Sequence, residues 1–364
     1  MHMAARSSRL AVYVSAAGSG DIHVLRPHAP PLASGLADQP ATKASWQTVQ
    51  RLALGGAIMP MAFSPQRDRL YAVNRTAPFT VHTLAVDAHK GHLSLLGTSP
   101  LAGNMVYVST SLDGRYLLTS SYGEDLIAVN AIEADGLVGP TLQVLNTPRQ
   151  AHAICPAPDG QHVWVSCLGA DQLLCYRLAS APQQTATPLS TEPVLRHACR
   201  AGSGPRHLAF HPNGRWLFLI NELGGSVDGL ALGEGSAPPS PLSHARILPP
   251  EISTEPWSAE LRVSTNGQWL FTSDRRAATL SALRIDTTTG QLALVDCLQT
   301  EALPRSFALA PDGLTLFVAS QDTGRLSVID FDPEQGRMRL QSQLDCGTSP
   351  TWVEVIELPH APSA

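Results

Sequence analysis

His211-Pro212-Asn213-Gly214-Arg215-Trp216-Leu217-Phe218 sets a polar turn between two apolar runs, with Arg206 and Glu222 equally far on either side of Gly214. The layout recurs at 111–118, 157–164, 264–271 and 310–317, around Gly114, Gly160, Gly267 and Gly313. A further copy, 64–71, carries Arg67 in the glycine position. Asp-Gly or Asn-Gly between apolar runs is a strong hairpin signal, because both residues tolerate positive φ. The flanking runs are rich in Val, Leu, Phe, Tyr and Trp, which suit strands.

The turns recur about every 45–55 residues, the spacing of propeller blades. Each repeat continues into a third strand, as at 226–232 and 325–331, and a fourth, outer strand such as 291–298 leads onward. No long stretch has helical periodicity. Six full repeats leave two ends. The runs 10–16, 21–26 and 46–54 read as three strands lacking an innermost partner, and 351–358 reads as an innermost strand with nothing after it. Joined, they complete a seventh blade, so the expectation is an all-β, seven-bladed β-propeller. It forms one domain over residues 4–364 whose closure leaves only short, protected edges. Met1-His2-Met3 reads as a cloning remnant ahead of a natural start. Two Pro-rich stretches, 28–45 and 179–193, read as surface excursions.

Composition narrows the partners. The net charge is −5 with no basic run, which argues against nucleic acid. No apolar stretch is long enough for a bilayer and no signal peptide is visible, so a soluble, cytoplasmic protein is expected. The six cysteines have no framework spacing; Cys155, Cys167 and Cys175 should be buried and reduced. No HExxH, EF-hand or Gly-rich phosphate loop occurs, so no metal or cofactor is implied. A Gly-x-Ser-x-Gly elbow is also missing.

Repeat phase locates a site. Eight residues before the turn, at the start of the innermost strand, stand His152, Arg206 and Arg305, with Val106 and Ala259 in the other copies. Eight residues after it stand Arg75, Tyr122, Glu222, Arg275 and Gln321, with Leu168 as the exception. In an antiparallel hairpin these two positions share a rim, so the set should converge on one mouth of the central channel. The plain alternative is that the charges form ion pairs closing that mouth. Four arginines against Glu222 nevertheless leave a positive excess in a negative protein. Such a mouth suits a small anionic ligand, and Arg offers a bidentate fork for carboxylate or phosphate. His152 and Glu222 are the acid–base candidates. Asp274 should brace the blade, Tyr122 reads equally as core or ligand contact, and His207 and His211 read as structural.

The stretches 204–213 and 220–227, with 150–154, 273–277, 303–307 and 349–353, resemble the bacterial seven-bladed propeller 6-phosphogluconolactonases, the lactonase family, over nearly the whole chain. The chain departs from that pattern at Gly123, where the family usually carries Asn, and at Ala153, where it often carries Ser. A fungal carboxymuconate-lactonizing enzyme is similar in fold, and its site histidine, two arginines and glutamate match His152, Arg206, Arg275 and Glu222. The resemblance implies metal-free hydrolysis of a phosphorylated or carboxylated sugar lactone, as in the pentose phosphate pathway. Arg75, Arg305 and Tyr122 would contact substrate, Arg206 or Arg275 would stabilise charge on the carbonyl oxygen, and His152 or Glu222 would activate water. The alternatives are a lactonizing lyase or isomerase acting on a muconate-like dicarboxylate, and a non-catalytic binding propeller.

Overall fold

The computed structural model of the chain describes residues 9–28, 45–180, 184–233 and 237–359. Met1–Met3 and the interior of the first Pro-rich stretch lie outside the described residues. Seven four-stranded antiparallel sheets follow one another around a ring, and the innermost strand of each touches the innermost strand of the next. Blades 1 to 6 start at Ile58, Met105, Ala151, Pro205, Ser258 and Pro304. Blade 7 joins the two ends: Pro350–Glu357 lies innermost and pairs with Leu10–Ala16, followed by Asp21–His28 and Ser45–Ala53. The velcro closure read from the sequence is therefore present, with strand ends within one or two residues of the expected ones.

Each hairpin turns where the sequence marks it. The turn glycines have φ between 66° and 73°, and Arg67 takes the same left-handed conformation at φ 60°. Burial falls outward along a blade. Trp216–Asn221, the second strand of blade 4, is buried at every residue, because neighbouring blades cover both faces. The outer strand Ser240–Arg246 has no fully buried residue. Each wholly buried Leu or Phe between blades contributes about 1.5–3 kcal/mol. The second Pro-rich stretch is more than an excursion. Gln184 donates to the carbonyls of Arg115 and Ile132, and the Thr185 amide donates to the Tyr116 hydroxyl, so it straps the outside of blade 2.

One irregularity repeats in every blade. At the entrance to the innermost strand one extra residue is inserted relative to its partner. Pro205 pairs with Asn221, for example, but Leu208 pairs with Leu219. Equivalent slips occur in the other six blades. Such β-bulges re-aim side chains and break strict alternation. The residue leading into the bulge is left-handed at Gln150, Gly204, Leu303 and Ser349.

Candidate active site

The bulges bring two rings of side chains to one mouth of the channel. The residue eight after the turn is held at that rim by its own backbone. The amides of Arg75, Glu222, Arg275 and Gln321 donate to the carbonyls of Ala57, Gly204, Trp257 and Leu303, each just ahead of its innermost strand. The exception, Leu168, makes the same bond to Gln150 but buries its side chain in a short 3-10 turn.

Glu222 is the hub. Its Oε2 lies 2.9 Å from Arg206 Nε and 2.7 Å from Arg275 Nη2, and its Oε1 accepts from Trp257 Nε1 at 3.2 Å. Burial alone would raise the Glu222 carboxyl, but Arg206 and Arg275 outweigh it and hold the group below the ordinary range. Arg275 is clamped further: it donates to the carbonyls of Trp257 and Ser258, and its guanidinium lies 4.1 Å from the Trp257 ring. Burial, and then repulsion from Arg206, bring Arg275 down to about 10.

Arg305 differs from the other arginines. It is half-buried and has no hydrogen bond or ion pair among the described residues. Burial and the neighbouring charges of Arg206, Arg275 and Arg75 push it down to about 9. Arg75 donates to Asn104 Oδ1 at 2.6 Å and towards Met59 Sδ, and burial lowers it as well. The mouth thus holds four guanidinium groups, two of which share the Glu222 carboxylate. An arrangement this costly marks a functional site more often than a structural one.

His152 is buried beside them, 6.0 Å from the Tyr122 ring in an edge-on contact. Its Nδ1 is buried with no partner among the described residues. Burial, reinforced by Arg206, His207 and Arg305, holds it well below the usual histidine range, so the ring is neutral at pH 7. Below the mouth, the rings of Tyr107, His207 and Trp352 meet at 5.1–5.9 Å.

His152, Arg206, Glu222, Arg275, Arg305, Arg75 and Tyr122 are therefore brought together, from six blades. Asp274 accepts from the Trp257, Arg276 and Ala277 amides and braces the rim, as expected. His211 bonds the Gly267 carbonyl of the next turn and is structural. His207 is not merely structural: it faces the axis and its Nε2 lies 3.1 Å from Arg206 Nη1. The sequence reading also missed Trp257, Glu260 and Ser166. The fully buried Ser166 hydroxyl accepts from the Ala153 amide at 3.0 Å and donates to the Arg206 carbonyl at 2.5 Å, tying the His152 and Arg206 strands together. A signal for His207 and Glu260 existed. With Tyr107 and Ser306, they stand seven residues before their turns.

Comparison with known proteins agrees with this architecture. The family model described as Lactonase, 7-bladed beta-propeller matches residues 39–355. A 6-phosphogluconolactonase of Pectobacterium atrosepticum is 31% identical over 347 residues, covering 95% of this chain and 98% of the relative. One of Serratia proteamaculans is 30% identical over 345 residues, with the same coverage. Among solved structures, the Pseudomonas aeruginosa periplasmic gluconolactonase is 27% identical with a TM-score of 0.84, covering 96% of this chain and 99% of that one. A Lactobacillus plantarum protein at 22% identity and a TM-score of 0.82 shares the fold. With the blades, their bulged inner strands and a family match that spans most of the sequence, the chain belongs to the seven-bladed β-propeller lactonase family.

Proposed function

We propose that the protein hydrolyses a phosphorylated sugar lactone of the 6-phosphogluconolactone type at this channel mouth. The observation that carries the reading is Arg305, a cation held beside three others with no counter-charge of its own. An anion entering the mouth would relieve that repulsion and gain charge-assisted hydrogen bonds. The curated relatives are named for this hydrolysis and not for lactonization, which favours hydrolysis over the lyase alternative.

In this reading Arg305 and Arg75 hold the anionic tail, with Tyr122 against the sugar. The lactone carbonyl oxygen faces the open edges of Arg206 and Arg275, which stabilise the negative charge that builds as water adds. The two acid–base candidates separate by environment. Glu222 is an ionised carboxylate engaged by two arginines and Trp257, so it orients the guanidinium groups. His152 is neutral and has no competing partner, so it takes a proton from the attacking water. When the bond between the carbonyl carbon and the ring oxygen breaks, the imidazolium returns that proton to the ring oxygen. The product is an open-chain hydroxy acid. All six cysteines are free, which fits a reducing, cytoplasmic setting.

The test is lactone turnover above the buffer rate, measured with 6-phosphogluconolactone and with gluconolactone, for the wild type and Arg305→Ala. Loss of a charge-assisted contact should cost roughly 10–100-fold in kcat/KM for the phosphorylated substrate, with little change for the plain one. Equal losses on both substrates would remove Arg305 from the phosphate subsite. No acceleration with either substrate would sink the hydrolase reading.

A further inference from the structure

We propose that His207 and Glu260 are positioning residues that set the orientation of the Arg206 guanidinium through a buried chain of hydrogen bonds. The proposal rests on the reading of Arg206 as a stabiliser of carbonyl charge.

Arg206 is 2% exposed and among the largest fully buried side chains. Its Nη1 donates to the Ala259 carbonyl at 2.5 Å and contacts His207 Nε2 at 3.1 Å. An arginine can only donate, so Nε2 must be the accepting nitrogen and the ring proton must sit on Nδ1. That nitrogen lies 2.8 Å from Glu260 Oε1. Glu260 is itself anchored. Oε1 also accepts from the Leu261 amide, Oε2 accepts from Ser306 Oγ, and Arg262 stands 3.6 Å from Oε2. Burial opposes the charge on Glu260, but Arg262 and His207 overcome it and keep the carboxyl down at about 2. Burial and Arg206 bring His207 down to about 4, which agrees with a neutral ring.

The chain therefore runs Glu260, His207, Arg206, Glu222, from the channel interior to the mouth. A carboxylate at its inner end dictates the tautomer of His207, and the tautomer dictates where Arg206 can put Nη1. Nη1 is committed to Ala259 and His207 and Nε lies in ion-pair contact with Glu222, while Nη2 has no hydrogen-bond partner among the described residues and is left for a ligand. This is the arrangement by which outer carboxylates orient a histidine at many sites, here relayed to a guanidinium.

Three variants and one spectroscopic readout test it. In Glu260→Gln the new amide can donate to Nδ1, which moves the ring proton to Nε2, against Arg206. His207→Leu removes both bonds. Either change should lower kcat by roughly 10–100-fold, the scale of a misplaced catalytic group, with KM little moved. His207→Gln keeps an acceptor for Arg206 and a donor for Glu260 and should retain most of the turnover. Long-range 1H–15N spectra of histidine-labelled protein at pH 7, with the His207 signals assigned by their loss in His207→Gln, should show the wild-type proton on Nδ1. A proton on Nε2, or a charged ring, overturns the proposal whatever the activity. So does a folded Glu260→Gln or His207→Leu with wild-type kcat and only a lowered Tm. A wild type without lactone turnover sinks the catalytic reading instead, and the ring-proton measurement still decides the anchoring of Arg206.

Discussion

Glu222→Gln should cost stability before it costs anything else. The substitution keeps the shape of the side chain and removes its charge, leaving Arg206 and Arg275 facing each other without their shared carboxylate. It breaks the 2.9 and 2.7 Å ion pairs made by a carboxylate side chain that is only 13% exposed. Breaking a buried pair by removing one partner costs about 3–5 kcal/mol. Unfolding entropy of about 2.1 cal/mol/K per residue over 364 residues converts this into a Tm fall of about 4–7 °C. The mouth is open to solvent, so an added anion can take the place of the carboxylate. Inorganic phosphate should therefore raise the Tm of Glu222→Gln more than that of the wild type, by mass action. Turnover should fall about 10²-fold, because both charge-stabilising arginines lose their alignment. Differential scanning calorimetry across a phosphate series, run beside steady-state kinetics, gives all three numbers. An unchanged Tm with no phosphate dependence would refute the hub role. A turnover loss with unchanged Tm would return Glu222 to the acid–base step.

Two other outcomes follow from the same geometry. His152→Asn should lower kcat by roughly 10²–10⁴-fold while Tm and KM stay close to wild type, and full turnover in this variant would move the proton transfer elsewhere. Stability should fall on the acid side. Neutral His152 and His207 lie below their ordinary value of 6.5 in the fold, and the unfolded chain binds their protons first. The His207 contribution is complete above pH 6.5 and is lost by about 1.4 kcal/mol per pH unit as pH falls towards 4; His152 and buried His23 and His82 act in the same direction. In urea titrations at pH 5–7, His207→Gln should flatten that slope by about one such increment, and an unaltered slope would show that His207 is charged in the fold.

Much of this molecule is written in local chemistry. Six turns that need a left-handed residue, each flanked by β-forming runs, dictate the blades. The unpaired inner strand at one terminus and the three partnerless strands at the other dictate the closure. Repeat phase alone brings His152, Arg206, Glu222, Arg275, Arg305, Arg75 and Tyr122 to one rim, because equivalent positions in a ring must face the same axis. What the sequence could not say is which charges neutralise which. That Glu222 serves Arg206 and Arg275 together, and that Arg305 is left alone, depends on distances between blades, which no repeat encodes. Nor could it aim His207 at the channel, although its place seven residues before the turn marks the position. Strict alternation sends the neighbour of Arg206 to the opposite face of the strand, and the β-bulge that overrides it has no compositional mark. The extra residue is accommodated by pairing with Trp216–Asn221, so only the folded sheet decides that Arg206 and His207 both reach the channel and that a carboxylate on the next blade can reach them.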